Sequence, residues 1–258
     1  MATKAEKGCV SIMTKQQKKT LNLVLTYLVI ILIGCVLLFP IAWMISAAFK
    51  TNDEIFGSIA LMPKSFSFQN FIDGWKSAGI YTYATYFINS FIMVIPTTLL
   101  TIASSALVAY GFARFNFPFK KQLFAILIAT LMLPNSVIIQ FMRGIPRDLD
   151  ESACIDGCGT FRIFWQILLP LMKPALFSAG LFQFLWTYND YFNSLIFINS
   201  VKKYTISLAL RLSVDAESVV VWGRVMAMAC VAVLPLVLLF FAAQKYFVEG
   251  IATSGLKG

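Results

Sequence analysis

At 258 residues, 59% hydrophobic and 13% charged, with a mean hydropathy of +0.78, the chain is too apolar to fold as a soluble domain. Several stretches exceed the roughly 20 apolar residues that cross a bilayer, and strand-period alternation is absent, so the fold class is an all-α polytopic membrane protein and not a β-barrel. In such a chain the net charge of +9 reports orientation, because Lys and Arg collect on the cytoplasmic side, and gives no case for nucleic acid as a partner.

Residues 1–20 form a polar tail carrying Lys4, Lys7, Lys15, Lys18 and Lys19, which sets the N-terminus in the cytoplasm. The apolar run 21–49 is too long for a signal-peptide core and has no clear cleavage site, so it reads as an uncleaved first span. An aromatic and polar outer loop follows, over residues 50–85. The second span, 86–112, contains Pro96 and small residues at Ser104, Ser105, Ala106 and Ala109 that suit close helix packing. "RFNFPFKK" is a short basic loop on the inner face. The third span runs from about 122 to 140, with Pro134 late in it. Residues 147–159 then break the pattern. Asp148, Asp150, Glu151 and Asp156, four of the chain's twelve acidic residues, fall within nine positions. Residues 161–169 are amphipathic up to Pro170. A fourth apolar span covers about 174–198, an outer loop follows, and the last span covers about 220–243. The membrane domain is therefore 21–243, with an inner loop at about 143–173, and residues 244–258 form a polar C-terminal tail. There is no repeat and no linker to a second domain.

The five cysteines imply no disulfide framework. Cys35 and Cys230 sit in apolar runs, and Cys9, Cys154 and Cys158 fall in segments assigned to the reducing cytoplasm. With no histidine in the chain, Cys154 and Cys158 lack the neighbours a zinc site needs.

Counting spans raises a parity problem. Five crossings from an inner N-terminus put the acidic segment and the tail outside, and leave 12 basic residues inside against 9 outside. One further crossing between Gln140 and Arg143 would bring both back inside and change the split to 14 against 7. That arrangement fits the charge bias far better. No residues are available there for a crossing of about 20 residues. The expectation is a chain with five visible spans of six, lacking one near residue 140.

The acidic segment reads as a short helix of about 12 Å. Pro146 precedes it, Asp148 or Asp150 can cap its start, acidic groups suit its first turn, and Gly157 and Gly159 stop it. The wider stretch "ESACIDGCGTFRIFWQILLPLMKP" resembles the "EAA" signature of the permease subunits of ATP-binding-cassette importers. Glu151, Ala153, Asp156, Gly157, Phe164, Ile167, Leu169, Pro170, Leu171 and Pro174 match, while Ser152 and Cys158 stand where alanine is usual. "IPRDLDE", "MLPNSVIIQ", "TYND" and the tail "QKYFVEGIATSGLKG" are similar to the carbohydrate branch of maltose-type permeases. The resemblance covers nearly the whole chain. It implies a type I importer transmembrane domain in a bacterial inner membrane, with both termini cytoplasmic. It implies that Glu151, Ser152, Ala153, Asp156 and Gly157 form a helix that couples to a cytoplasmic ATPase. It implies further that Gln244, Glu249 and Gly250 touch that ATPase. The implied partners are a second permease subunit, two ATP-binding-cassette subunits, an extracytoplasmic solute-binding protein and the lipid bilayer. ATP and Mg would bind the partner, and this chain would hold no cofactor.

Two other classes compete. A stand-alone secondary transporter or channel is the alternative, but the spans carry few ionisable groups beyond Asp190 and a boundary Arg224, where ion-coupled carriers usually place several. An enzyme reading finds no histidine, metal cluster or nucleophile set, and no G-x-x-x-x-G-K-[ST] loop exists to hydrolyse nucleotide. Within "TYND", Tyr188, Asn189 and Asp190 combine polar and aromatic groups as a sugar path requires. The competing reading makes Asp190 an interhelical hydrogen-bonding group.

Overall fold

The computed structural model describes residues 15–76, 81–130, 136–215 and 220–255, and every regular element among them is helical. Helix α1 (Lys15–Ala47) is about 50 Å long and apolar on all sides. It touches the rest of the chain chiefly through its last turns, where Ala47 and Ala48 are fully buried. Two short outer helices, α2 (Asn52–Gly57) and α3 (Gln69–Lys76), lead into α4 (Tyr83–Arg114). Next come α5 (Lys120–Thr130), α6 (Ser136–Arg143), α7 (Asp148–Ile155) and α8 (Thr160–Ile163). A π turn over Phe164–Leu168 joins α8 to α9 (Leu169–Leu171). Proline at 170 has no N–H to donate and crowds the preceding carbonyls, and the chain accommodates it by widening the turn, so that the Leu169 amide reaches back to Phe164 O. Then follow α10 (Lys173–Tyr188), α11 (Phe192–Phe197), a single 3-10 turn, α12 (Ile206–Asp215) and α13 (Trp222–Gly255).

Among the described residues, three helices are long and apolar enough to cross a membrane: Lys19–Ala47, Tyr83–Arg114 and Trp222–Gln244. Thr160–Leu171 and Lys173–Tyr188 qualify only together, as a pair bent by 75°. Helices α4, α10 and α13 form the centre. Gly180 lets α10 approach α4 so closely that a Cβ there would lie 2.7 Å from Ile102 Cδ1. The outer core gathers Tyr83, Tyr86, Val94, Tyr188, Ile206, Met228 and Ala232. The inner core gathers Ala106, Ala109, Ala113, Ile138, Ile139, Met142, Phe164 and Met172. Three small side chains on α4 thus make the seat for α6, as expected of Ala106 and Ala109, whereas Ser104 stays exposed.

In the stretch expected to be the third span, the described residues form two helices, α5 ending at Thr130 and α6 beginning at Ser136. Arg143, at the end of α6, lies with its guanidinium 4.0 Å from the ring centroid of Phe124, in the second turn of α5. Phe124 in turn packs on Phe112 at 5.9 Å, level with the inner end of α4. Helix α6 therefore returns alongside α5, and the chain leaves the pair at the end where it entered. The eleven residues of α5 rise only about 16 Å, half of a hydrocarbon core of about 30 Å. The apolar stretch expected at 174–198 is likewise divided, with α10 ending at Tyr188 and α11 beginning at Phe192.

On the opposite end, side-chain amides fasten the loops. Asn52 donates to Val220 O at 2.7 Å and accepts from the Trp222 amide at 2.9 Å. Asn70 donates to Ala48 O and Lys50 O at 2.9 and 3.0 Å. A Cβ on Gly223 would lie 2.4 Å from Lys50 O, so that position admits only glycine without a shift.

Candidate functional site

Helix α7 stands at the end of the bundle where α4 finishes, and its two ends are built differently. No side chain caps its start. Arg147 is the preceding residue, and its carbonyl accepts from the Asp150 and Glu151 amides at 2.8 and 3.1 Å. This corrects the expected cap: Asp148 and Asp150 lie inside the first turn, where they still favour the positive end of the helix dipole. The expected stop is present. Gly157 has φ +82°, in the left-handed region that glycine enters freely. Its amide donates to Cys154 O at 3.0 Å and the Cys158 amide donates to Ala153 O at 2.9 Å, the paired bonds of a Schellman termination. Gly159 is not part of that stop; it is the extended residue before α8.

The helix has an inward and an outward face. Ala153 is buried against Ile163 and Leu168 of its own chain. Its small side chain serves packing within the chain. Asp150 also turns inward and pairs with Arg114 at 2.6 Å. Glu151, Ser152, Asp156 and Gly157 are exposed. Beside them Ile155 is 86% exposed and Leu149 42%, a large apolar surface on a knob otherwise lined by carboxylates. Sequence reasoning missed both, because an aliphatic residue on a short helix is normally assigned to the core. For Ile155 the offset of two positions from Ala153, about 200° around the helix, was the available signal, whereas Leu149, four positions before Ala153, shares its face and gave none. Nearby, Lys120 donates to Phe115 O at 2.7 Å. Partial burial pushes its ammonium below the ordinary lysine range, and the like charges of Arg143 and Arg147 add to that.

The "TYND" residues do not form one site. Tyr188 is buried, donates to Ala232 O on α13 at 2.9 Å, and stacks on Phe184. Asn189 is exposed and returns its amide to Leu185 O at 2.9 Å. Asp190 accepts from the Asn193 amide and side chain at 3.1 and 2.9 Å, fixing the start of α11. Its bonds are local, not interhelical, and it sits at a helix break, not deep in a span. Gln244 is exposed on α13, and the helix continues past Glu249 and Gly250 to Gly255, so the expected tail is helical there. The side chain of Glu249 and the surroundings of Gly250 lie outside the described residues.

Two cavities flank α4. One, of about 400 Å³, is almost wholly apolar and lies between α4, α10 and α13, against Thr98, Ile102, Gly180 and Phe184. The other, of about 660 Å³, is more polar and lies at the outer end, against Asn89, Met93, Asn199 and Lys203. Neither is lined by Tyr188, Asn189 or Asp190.

Residues 74–253 match the model of the family described as binding-protein-dependent transport system inner membrane component. The chain is 31% identical to the probable ABC transporter permease protein YurM of Bacillus subtilis, over 85% of this chain and 84% of that protein. It is 27% identical to the trehalose/maltose transport system permease protein MalG of Thermococcus litoralis, over 94% and 99% of the two chains. It is 28% identical to the arabinooligosaccharides transport system permease protein AraQ of Bacillus subtilis, over 86% and 91%. In fold it is similar to a chain in the crystal structure of a bacterial ABC transporter involved in the import of the acidic polysaccharide alginate. The TM-score is 0.74, with 15% identity and coverage of 92% of this chain and 100% of that one. The alignment with YurM has 256 positions, whereas 85% of 258 residues supplies only about 219, so about 37 positions have no residue in this chain. The same reckoning for MalG, 278 positions against about 242 residues, leaves about 36. The apolar helices, the protruding inner helix with its glycine stop and the family match over residues 74–253 agree: this chain is a multi-pass membrane transport permease and belongs to the family of binding-protein-dependent transport system inner membrane components.

Proposed function

We propose that this chain forms half of the translocation path of a sugar importer and docks a cytoplasmic ATPase through α7. The observation that carries the reading is the outward face of α7. Glu151, Ser152, Asp156 and Ile155 are exposed on a helix whose other face is buried and whose end is fixed by Gly157. A carboxylate-lined knob with an aliphatic tip fits a basic-rimmed apolar cleft. The sugar class rests on the relatives, which are named as permease proteins of trehalose/maltose and arabinooligosaccharide transport systems. A second permease subunit completes the path, two ATP-binding-cassette subunits bind ATP and Mg, and a solute-binding protein delivers the sugar. The helical extension through Glu249 and Gly250 approaches the same ATPase pair.

This reading needs α7 and both termini on the cytoplasmic face. The α5–α6 pair supplies the required parity. With α1, α4, the bent pair and α13 crossing, and α5–α6 entering and leaving on the inner side, four crossings return the chain to the cytoplasm. The roughly 37 positions without a residue in this chain are a length that suits one span of about 20 residues with its connections. The test is recovery of the ATPase subunit with this chain from detergent-solubilised membranes. Wild-type chain should retain it, whereas Glu151→Lys combined with Ile155→Asp should lose it and abolish uptake while the membrane level is unchanged. Full retention and uptake in the double variant would overturn the assignment.

A further inference from the structure

The geometry points to Arg114 as a positioning residue that latches α7 to the membrane helix α4, so that movement of α7 is passed to α4. This rests on the reading of α7 as the ATPase-docking helix. Three contacts converge on the last turn of α4. Arg114 Nε lies 2.6 Å from Asp150 Oδ2, with the two side chains only 8% and 19% exposed. Both terminal nitrogens of the same guanidinium donate to Ile145 O, each at 3.2 Å. Arg147 reaches in the opposite direction and donates to Ala113 O at 3.1 Å, satisfying a carbonyl left open by the helix end. The far side of α7 is tied to the same helix one turn earlier. Tyr110 donates to Thr160 O at 2.9 Å, and its ring lies 4.9 Å from that of Phe164.

Asp150 is the odd member of the acidic cluster. Its neighbours face outward, available to a partner, whereas its own carboxylate is turned to the bundle. Neither Asp150 Oδ1 nor Arg114 Nε has a hydrogen-bond partner among the described residues, so the two side chains form a close ion pair without a hydrogen bond, and the charge of Arg114 is the main compensation for that carboxylate. The two terminal nitrogens hold the Ile145 carbonyl while the guanidinium charge faces the carboxylate, a double task for the planar fork of arginine and not for lysine. The two contacts straddle the start of α7, one before it at Ile145 and one within its first turn at Asp150. Helix α7 is thereby gripped by α4 directly, in addition to its covalent route through α8, the π turn and α10. Loss of Arg114 would strand the Asp150 charge and free the start of the helix, while leaving Glu151 and Ile155 on the docking face untouched. The expected defect is therefore uncoupling, with the ATPase still bound.

The experiment uses the whole transporter, purified through a tag on this chain and returned to vesicles with its binding protein and sugar. Three quantities are measured: ATPase subunit retained, ATP hydrolysis, and sugar uptake. Arg114→Met should retain the ATPase and hydrolyse ATP within about twofold of wild type, while uptake per ATP falls at least tenfold. Arg114→Lys should fall between the two. The charge exchange Arg114→Asp with Asp150→Arg should recover a substantial part of the coupling, which a purely structural role for either residue would not produce. Uptake per ATP at the wild-type level in Arg114→Met overturns the latch. So does a chain lost from the membrane in the single variant with no recovery in the exchange, because that makes Arg114 a folding residue only. Absence of any ATPase subunit from the wild-type preparation is a separate outcome, and it overturns the docking reading itself.

Discussion

Gly157 offers a graded test of whether α7 must end where it does. Its φ of +82° lies in the left-handed region, and a Cβ built there meets no atom within 4 Å. Steric clash within the chain is therefore excluded as a source of cost, and the backbone preference alone remains. That preference disfavours an L residue by about 1–2 kcal/mol, less for asparagine, which visits the region through local hydrogen bonds, and more for a β-branched side chain. The expected order of damage is Gly157→Asn, then Gly157→Ala, then Gly157→Val. Alanine at about 1 kcal/mol changes the population of correctly ended helix by a factor of about 5, and valine at about 2 kcal/mol by about 30. Uptake normalised to the amount of chain in the membrane should follow that order when the terminated helix limits docking. Alanine is smaller than asparagine, so a site limited by crowding against the ATPase would reverse the first two variants. That reversal would refute the backbone argument and place Gly157 in the interface instead.

Gly223→Ala should lower thermal stability in detergent by about 1–3 kcal/mol, because its Cβ must displace Lys50 O or Asn70; an unchanged melting temperature would show that the α1–α3–α13 junction is looser than described. Tyr188→Phe removes one bond to a helix carbonyl, worth about 0.6 kcal/mol inside a membrane, and should leave sugar selectivity and affinity unchanged; a shift in sugar affinity would return Tyr188 to the substrate path. Cysteines at Gln122 and Gly144, in a background lacking the native ones, should both react with a membrane-impermeant thiol reagent only from the cytoplasmic side, as should one after Gly258; labelling of Gly144→Cys from outside would make α5–α6 a crossing.

Much of this was open to reading in the sequence, for identifiable reasons. Long apolar runs announce α1, α4 and α13 because about 20 residues of hydrocarbon contact leave no other option. Gly157 was legible because a glycine after a capable helix former marks a left-handed stop. The third apolar stretch was not legible. Hydropathy averages over a window, and two short apolar helices give the same sum as one crossing helix; the contact between Arg143 and Phe124, which brings the end of α6 beside the start of α5, is not visible to it. Asp150 was grouped with its acidic neighbours because sequence proximity hides which way each side chain turns. One helical step of 100° divides it from Glu151, enough to send one carboxylate to Arg114 and the other to solvent. Asp190 looked membrane-embedded because the apolar residues around it continue past a helix end that its own bond to Asn193 creates.

The bend at Met172 has a mechanical meaning. Residues Thr160–Leu171 and Lys173–Tyr188 meet at 75°, and the corner residue Met172 and nearby Leu168 are fully buried. This is the shape of a bell crank, with one arm along the inner face and the other along α10. Twelve residues give the first arm about 18 Å, and the sixteen of α10 give the second about 24 Å. Pushing the free end of the short arm by about 1 Å turns the corner by about 3° and carries the far end of α10 by about 1.3 Å, in a direction rotated by the bend angle. A thrust of the kind proposed for α7, delivered to the short arm, would thus become a sweep at Tyr188 in a direction turned by the bend. The close crossing at Gly180 and Ile102 lies between the corner and that end, so α4 is carried with the sweep and does not let α10 slide past.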